Sequence, residues 1–558
     1  MPSYIGGDYP YTNEKGKEKM QRGPIHRLPV ETLREIFLYL PLFTAEEVES
    51  RTRELPPAGL AIYHVCRHWR YIVHKCRQLW TVIPLQSVYL TDLSIRLSSP
   101  GPIDVYVDYA AMRRPAYMAA ALKALDQLPR VRVLSLRAHN DDKDTRRDYY
   151  ETILMHIIQI LSRHPASQLE SFTIHFSAAF GAEERFGNFY EDFSGQVPTK
   201  LRTLYLDCAT IPHTSVCFQA PLTVLELVDC VIGAKETEDH EDYVFTEDID
   251  DFLYVLKALP SLERLVADEL YIIPEGVGLP PVRSNYDAHS IELPNLQTLE
   301  LKNSRVDLMD VIMNTLALPP LVDLHLHDDV ASHHQLRQPH TDSFRTLFQD
   351  HFSSALAAGL SFDELSVQVA PQGSFDRWTF TAWNLTATKG KNATASELLP
   401  HRVRYSVDSL VGGTSVMSSM LNVLPMTEGV RSLAIWSCPL TPLRGWLDLF
   451  SSYKTVAQIR IAAPIADALL SELNDLRNPE PIFPLLQTIS MVGLPWTAHR
   501  FLNELCIEMS VRKVAAVPLL MKKHPHVVAL EMDALRDALG SEVELYDDLP
   551  FSWEVKYD

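Results

Sequence analysis

Residues 64 to 80 read HVCRHWRYIVHKCRQLW, which places His64, Cys66, His68, His74 and Cys76 close together along the chain. Imidazoles and thiolates are zinc ligands, held about 2.0–2.3 Å from the metal. On a helix, however, Cys66 and Cys76 stand about 15 Å apart along the axis and cannot share one ion. Cys66 with His68, and His74 with Cys76, are two residues apart and face nearly opposite ways. His64 and His68 keep the i, i+4 spacing of half a site, and nothing nearby completes it. The spacing does produce a stripe. Val65, Trp69, Ile72, Cys76 and Leu79 share one helical face, widened by Cys66, Val73 and Trp80. Arg67, Arg70, His74 and Arg77 form a cationic stripe beside it. One amphipathic helix is expected over 65–77, its apolar face in a core or on a partner and its basic face in water. Each large apolar side chain buried there contributes about 1.5–3 kcal/mol.

Two further runs carry ligand-type side chains. In HLHDDVASHHQLRQPH (325–340), His325 and His327 share a strand face and Asp328 follows, a conceivable donor set for a metal. Leu324 and Leu326 claim the inward positions, so the histidines are expected to face outward as a polar patch. The run ETEDHEDYVFTEDIDD (236–251) holds nine acidic residues but lacks the D-x-[DN]-x-[DN]-G order of a calcium loop. It reads as a solvated acidic loop. Hydrolase, P-loop, zincin and dinucleotide fingerprints are absent from the sequence. No catalytic residue, metal ligand or cofactor is assigned, and the chain is expected not to be an enzyme. The rival kept from this group is a metal-dependent enzyme using the His325–His340 region.

The elements that position these residues begin upstream. In IHRLPVETLREIFLYLP (25–41), Leu33, Ile36, Phe37 and Leu40 recur at i, i+3, i+4 and i+7. Pro29 suits a first turn, Glu31 the positive helix end, and Pro41 a stop. Two apolar-striped helices so close in sequence make a small helical unit. Together, LPVETLREIFLYL and HVCRHWRYIVHKCRQLWTVI resemble an F-box. The residues that carry the resemblance are Leu28, Pro29, Glu31, Leu33, Ile36, Phe37, Val65, Cys66, Arg67, Trp69, Arg70, Leu79 and Trp80. The resemblance covers about residues 25–83. It implies a three-helix module that docks on the Skp adaptor of a Skp–cullin–F-box (SCF) ubiquitin ligase. The adaptor-binding residues it points to, together with helix periodicity, are Leu28, Pro29, Leu33, Ile36, Phe37, Leu40, Val65, Cys66, Trp69 and Ile72. The segment 42–63 is longer and more charged than in compact F-boxes, as in fungal F-box families.

A second pattern, Leu-x-x-Leu-x-Leu, follows. It is clear in LRTLYL (201–206), LTVLEL (222–227), LQTLEL (296–301) and LVDLHL (321–326). Looser copies are VRVLSL (131–136), LESFTI (169–174), LERLVA (262–267), VRSLAI (430–435), VAQIRI (456–461) and LQTISM (486–491). Cys230 and Cys438 fall three residues past the last apolar position, where leucine-rich repeats favour Asn or Cys. Each copy supplies a short strand with alternate side chains inward, and segments such as YETILMHIIQILSRH (150–164) and DDFLYVLKAL (250–259) return as helices. Stacked, such units make a curved parallel sheet. An ordinary α/β domain is the alternative, because the copies recur at irregular intervals of about 21 to 41 residues. Outward strand positions Arg202, Tyr205, Glu226, Glu300 and His325 are the candidate substrate-binding residues.

The expected fold is therefore α/β, a three-helix F-box followed by an irregular leucine-rich-repeat-like solenoid with a curved parallel sheet. The expected divisions are a disordered 1–24, the F-box at 25–83, the array at 84–497 and a C-terminal cap at 498–558. Within the array, RWTFTAW and RVRYSV (about 370–410) add two strands. The cap's RFLNELCIEM and RKVAAVPLLMKKH read as helices. The formal net charge of −20 over 558 residues works against nucleic acid or an anionic membrane as partner. Seven cysteines make no disulfide framework, and no secretory signal or membrane span is read, so cytoplasm or nucleus is expected. The function that follows is a substrate-recognition subunit of an SCF-type ligase, with Skp adaptor, cullin and an unknown protein substrate as partners. Its rival is an adaptor-bound or free repeat scaffold without a ligase role.

Overall fold

The computed structural model describes residues 28–40, 43, 60–138, 157, 159–176, 192–232, 249–269, 284–303, 306–319 and 322–328. Beyond these it describes 353, 356–357, 362, 364–372, 375–383, 402–409, 429–437, 450, 452–462, 485, 488–492, 519–522 and 543–546. The chain forms two compact units, 1–107 with 111–132, and 108–110 with 133–558. The first unit thus runs well past residue 83.

In the first unit, helix α1 (Val30–Leu38) starts directly after Pro29, which sits at the N-cap and accepts the Leu33 N–H at 3.1 Å. Helix α2 (Leu60–Val65) and helix α3 (Arg67–Lys75) follow, then a short 3-10 turn over Arg77–Trp80. The single helix expected over 65–77 is therefore broken. Cys66 is extended (φ −159°, ψ 169°) and caps α3, its thiol accepting the Trp69 N–H at 3.4 Å. The break lets Ile62 of α2 and Ile72 of α3 enter one core with Leu33, Phe37, Phe43, Val73, Cys76, Leu79, Trp80 and Leu93. A straight helix would separate those two isoleucines by about 15 Å. Helix α4 (Val88–Ser98), strand β1 (Ile103–Asp108) and helix α5 (Pro115–Leu125) complete the unit. Asp104, buried in β1, is held by Arg132 through two bonds of 3.0 and 2.7 Å.

The second unit carries β2 (Val131–Ala138), β3 (Ser171–Phe176), β4 (Thr203–Asp207), the two-residue β5 (Thr210–Ile211), β6 (Val224–Val228) and β7 (Val231–Ile232). Then come β8 (Arg264–Asp268), β9 (Ile291–Glu292), β10 (Thr298–Lys302), β11 (Leu316–Ala317) and β12 (Asp323–Asp328). Further on lie β13 (Glu364–Gln372), β14 (Phe375–Trp383), β15 (Arg402–Ser409), β16 (Ser432–Ser437), β17 (Gln458–Ala462), β18 (Thr488–Val492), β19 (Leu519–Lys522) and β20 (Val543–Tyr546). Strands β2, β3, β4, β6, β8, β10, β12 and β15 pair side by side in parallel. The architecture is mixed α/β around a parallel sheet. Chain order reverses once: β13, β14 and β15 are antiparallel neighbours, so β15 rather than β13 lies against β12. Parallel pairing resumes from β13 through β16 to β20.

Every Leu-x-x-Leu-x-Leu copy coincides with one of these strands, and the local reason recurs. The first apolar residue closes a tight turn: Leu169, Leu201, Leu262 and Leu296 each donate a backbone N–H to the carbonyl three residues back. The next carbonyl then receives two N–H groups from the following strand, as Arg202 does from Thr223 and Val224, and Thr223 from Glu263 and Arg264. The two strand leucines, such as Leu204 with Leu206 and Leu299 with Leu301, are buried. Each of β4, β6, β8 and β10 is followed directly by a left-handed residue, Cys208, Asp229, Glu269 or Asn303, with φ of 53°, 50°, 51° and 47°. The first three donate their N–H to the last carbonyl of the neighbouring strand, at 2.8–3.0 Å. Cys230, buried just beyond, directs its thiol at the carbonyls of Leu206 and Val228, bridging two strands. Cys438 lies outside the described residues.

Between strands, helix α6 (Ile249–Lys257) buries Ile249, Phe252, Leu253, Val255 and Leu256, and helix α7 (Val306–Thr315) follows β10. The described part of 150–164 is helical, with Ile157 and Leu161 inward. One expectation changes. RKVAAVPLLMKKH is not one helix, because its Leu519–Lys522 is strand β19. Pro518 supplies the reason, since a proline inside a helix removes a hydrogen bond and clashes with the preceding turn. The terminal segment accordingly adds β19 and β20 to the sheet, while RFLNELCIEM and the loop 384–401 lie outside the described residues.

Candidate functional site

On the first unit the residues named from the sequence fall into two sets. Leu33, Phe37 and Ile72 are buried, and half-buried Leu28 and Trp69 pack against the same core. The Phe37 and Trp69 rings meet at 4.9 Å between centroids, which seats α1 on α3. Their role is to hold the helices together. Pro29 is exposed, as are Ile36 (39%), Leu40 (52%) and Val65 (55%). Val65 thus does not share the buried stripe of Ile72, because the break at Cys66 places it at the end of α2. Val30, Tyr39, Tyr71 and Tyr89 are exposed too, and the periodicity argument passed over them.

The cationic stripe is not uniformly solvated. His74 is half-buried, its Nε2 hydrogen-bonded with the Tyr63 hydroxyl at 2.6 Å, beside the Trp80 ring. Burial, then the charges of Arg70, Arg96 and Lys75, hold this imidazole below its usual range. His64 and His68 are exposed.

On the sheet, four of the five outward candidates fall on one row. Tyr205 pairs in register with Glu226, Glu226 with Val266, Val266 with Glu300, and Glu300 with His325. Arg202 is the exception: it precedes β4, is exposed, and turns its guanidinium onto the carbonyls of Thr199 and Leu201. Glu300 is buried rather than solvent-facing. Arg264 bridges the row, with Nε on Glu226 at 3.0 Å and Nη2 on Glu300 at 3.1 Å. Lys302 takes the other Glu300 oxygen at 2.6 Å, and His325 Nδ1 stands 3.9 Å from it. Burial alone would raise the Glu300 carboxyl, but Lys302, His325 and Arg264 together hold it below its usual value. Next to the row, His175 Nδ1 meets Asp207 at 2.5 Å. Burial, with the charges of Asp207 and Glu226, pushes the Tyr205 hydroxyl up to about 12. The network ties β6, β8 and β10 together and leaves Tyr205 a neutral hydrogen-bonding group.

The end of the acidic run is structured as well. Asp250 accepts from the Ser284 hydroxyl at 2.7 Å and from the Asn285 backbone, and Asp251 meets His213 at 3.1 Å. Those two carboxylates brace α6 instead of standing in water. Of 325–340, only 325–328 is described, and among the described residues no three His, Cys, Asp or Glu side chains converge as a metal site. Among the described residues no helix is long and apolar enough to cross a membrane. No known family model matches the chain, and no curated protein matches it.

Proposed function

We propose that this chain is a substrate-recognition subunit of an SCF-type ubiquitin ligase. It docks on a Skp adaptor through an F-box formed by α1 to α3 and holds a target protein on the sheet of the second unit. The observation that carries the reading is the division of the F-box-like residues. Leu33, Phe37, Ile72, Leu79 and Trp80 build a core, while Ile36, Leu40 and Val65 stay exposed. The exposed second set supports the reading, because apolar side chains open to a partner are what docking requires. The repeated turn–strand–left-handed-residue unit supports reading the second unit as an irregular leucine-rich-repeat-like solenoid, whose repeats each contact their neighbours. Tyr205 and its row offer the strand-borne surface for the target. Ubiquitin transfer itself belongs to the cullin-bound RING subunit and its conjugating enzyme.

The test is co-purification of the full chain with the adaptor and with neddylated cullin. Recovery of both supports the ligase reading. Recovery of adaptor without cullin favours the non-ligase scaffold, and recovery of neither overturns docking altogether.

A further inference from the structure

Helix α3 has an outer face that the adaptor reading does not use. Ile72 and Val73 are buried on one side, and on the other Arg67, Tyr71 and Lys75 follow one another at i, i+4 and i+8 with Arg70 alongside. The alignment is visible in space, because Lys75 Nζ lies 5.9 Å from the centre of the Tyr71 ring. Tyr71 is 61% exposed. From residue 60 to 80 the chain carries Arg67, Arg70, Lys75 and Arg77 and no aspartate or glutamate, although it has 71 acidic residues against 51 basic ones overall. Elsewhere in the same unit cations find carboxylates: Arg132 takes Asp104, and Lys123 takes Asp92. Among the described residues no carboxylate pairs with Arg67, Arg70, Lys75 or Arg77; Arg70 turns to the Tyr63 carbonyl and ring instead.

We propose that this outer face, Arg67, Arg70, Tyr71 and Lys75, is a docking surface for an acidic segment of a partner protein. Charge complementarity selects the occupant. The cations sit on a helix, have no carboxylate partner among the described residues, and are grouped round an exposed aromatic ring, a composition typical of binding hot spots. A short carboxylate-rich segment meets only this local positive field. A nucleic acid, whose charge extends along its whole length, also meets the repulsion of a chain with net charge −20.

The experiment measures fluorescence anisotropy of a short labelled poly-glutamate peptide against the full-length chain. Saturable binding is expected, weakening with added salt. The double reversal Arg67→Glu/Lys75→Glu should weaken it about tenfold, as charge reversal at a complementary interface does. The charge-keeping pair Arg67→Lys/Lys75→Arg should retain it. Ile36→Asp/Leu40→Asp, which tests the adaptor surface, should bind the peptide as wild type does, so the two proposals fail separately. Should the reversal variant lose its circular dichroism spectrum, Tyr71→Ala decides, with several-fold weakening expected. No binding, equal binding by wild type and variants, or a labelled poly-uridine strand that binds tighter and is the one lost on reversal would overturn the proposal.

Discussion

Trp80 lies in the core of the first unit with 1% of its surface exposed, and its indole N–H donates to the Val73 carbonyl at 2.9 Å. Trp69 is only half-buried, its ring resting on Phe37. Trp80→Ala should therefore cost about 3–5 kcal/mol and Trp69→Ala less, in chemical denaturation of the full chain. Equal costs would contradict the packing described. His74 gives a pH signature. Because its folded pKa lies below the usual 6.5, the unfolded chain binds the proton more readily, so stability is full above that value and falls as the pH drops through it. Melting curves from pH 7.5 down to 5.5 should lose part of this acid-side slope in His74→Gln. An unchanged slope would count against the Tyr63–His74 contact. At this scale the sequence exposed the apolar types and spacing, but not which of them face water. Val65 and Ile72 look equivalent by periodicity until Cys66 leaves the helix and caps the next one. His74 looks like a surface cation until Tyr63, eleven residues earlier, is brought to its ring.

The strand units show where pattern reading succeeds and where it stops. Ten copies were readable because two inward apolar residues two positions apart, preceded by an apolar turn residue, are what each repeat needs for burial. Strand β13 was missed because buried Phe362 stands where the other copies have a leucine or valine, and β19 because LLMK follows Pro518 in a run of helix formers. The ion pairs among Glu226, Arg264 and Glu300 were out of reach, since they join residues of three different strands whose register no single copy reveals. The left-handed strand ends left only a partial trace, for of the four only Asp229 and Asn303 are residue types that favour that conformation. A β-branched side chain there is strongly disfavoured. Glu269→Val should destabilise the second unit by about 1–2 kcal/mol more than Glu269→Gly does. Thermal denaturation of both variants checks this, and a harmless valine would show that the φ of 51° is not required.

Across the whole chain, a small helical unit with a buried core and an exposed apolar set is joined to a long parallel sheet built from a recurring turn and strand. The proposed division of labour is docking by the first and recognition by the second. The helical unit continues through α4, β1 and α5 to residue 132, well beyond the resemblance that ends near 83, because nothing in residues 84–132 repeats the F-box pattern. The most direct measurement is isothermal titration of purified Skp adaptor into the full-length chain, alongside the Ile36→Asp/Leu40→Asp variant. The account predicts a one-to-one complex with wild type and none with the variant, whose circular dichroism spectrum should be unchanged because neither side chain belongs to the buried core. An adaptor that does not bind wild type, or that binds the variant equally well, would contradict it.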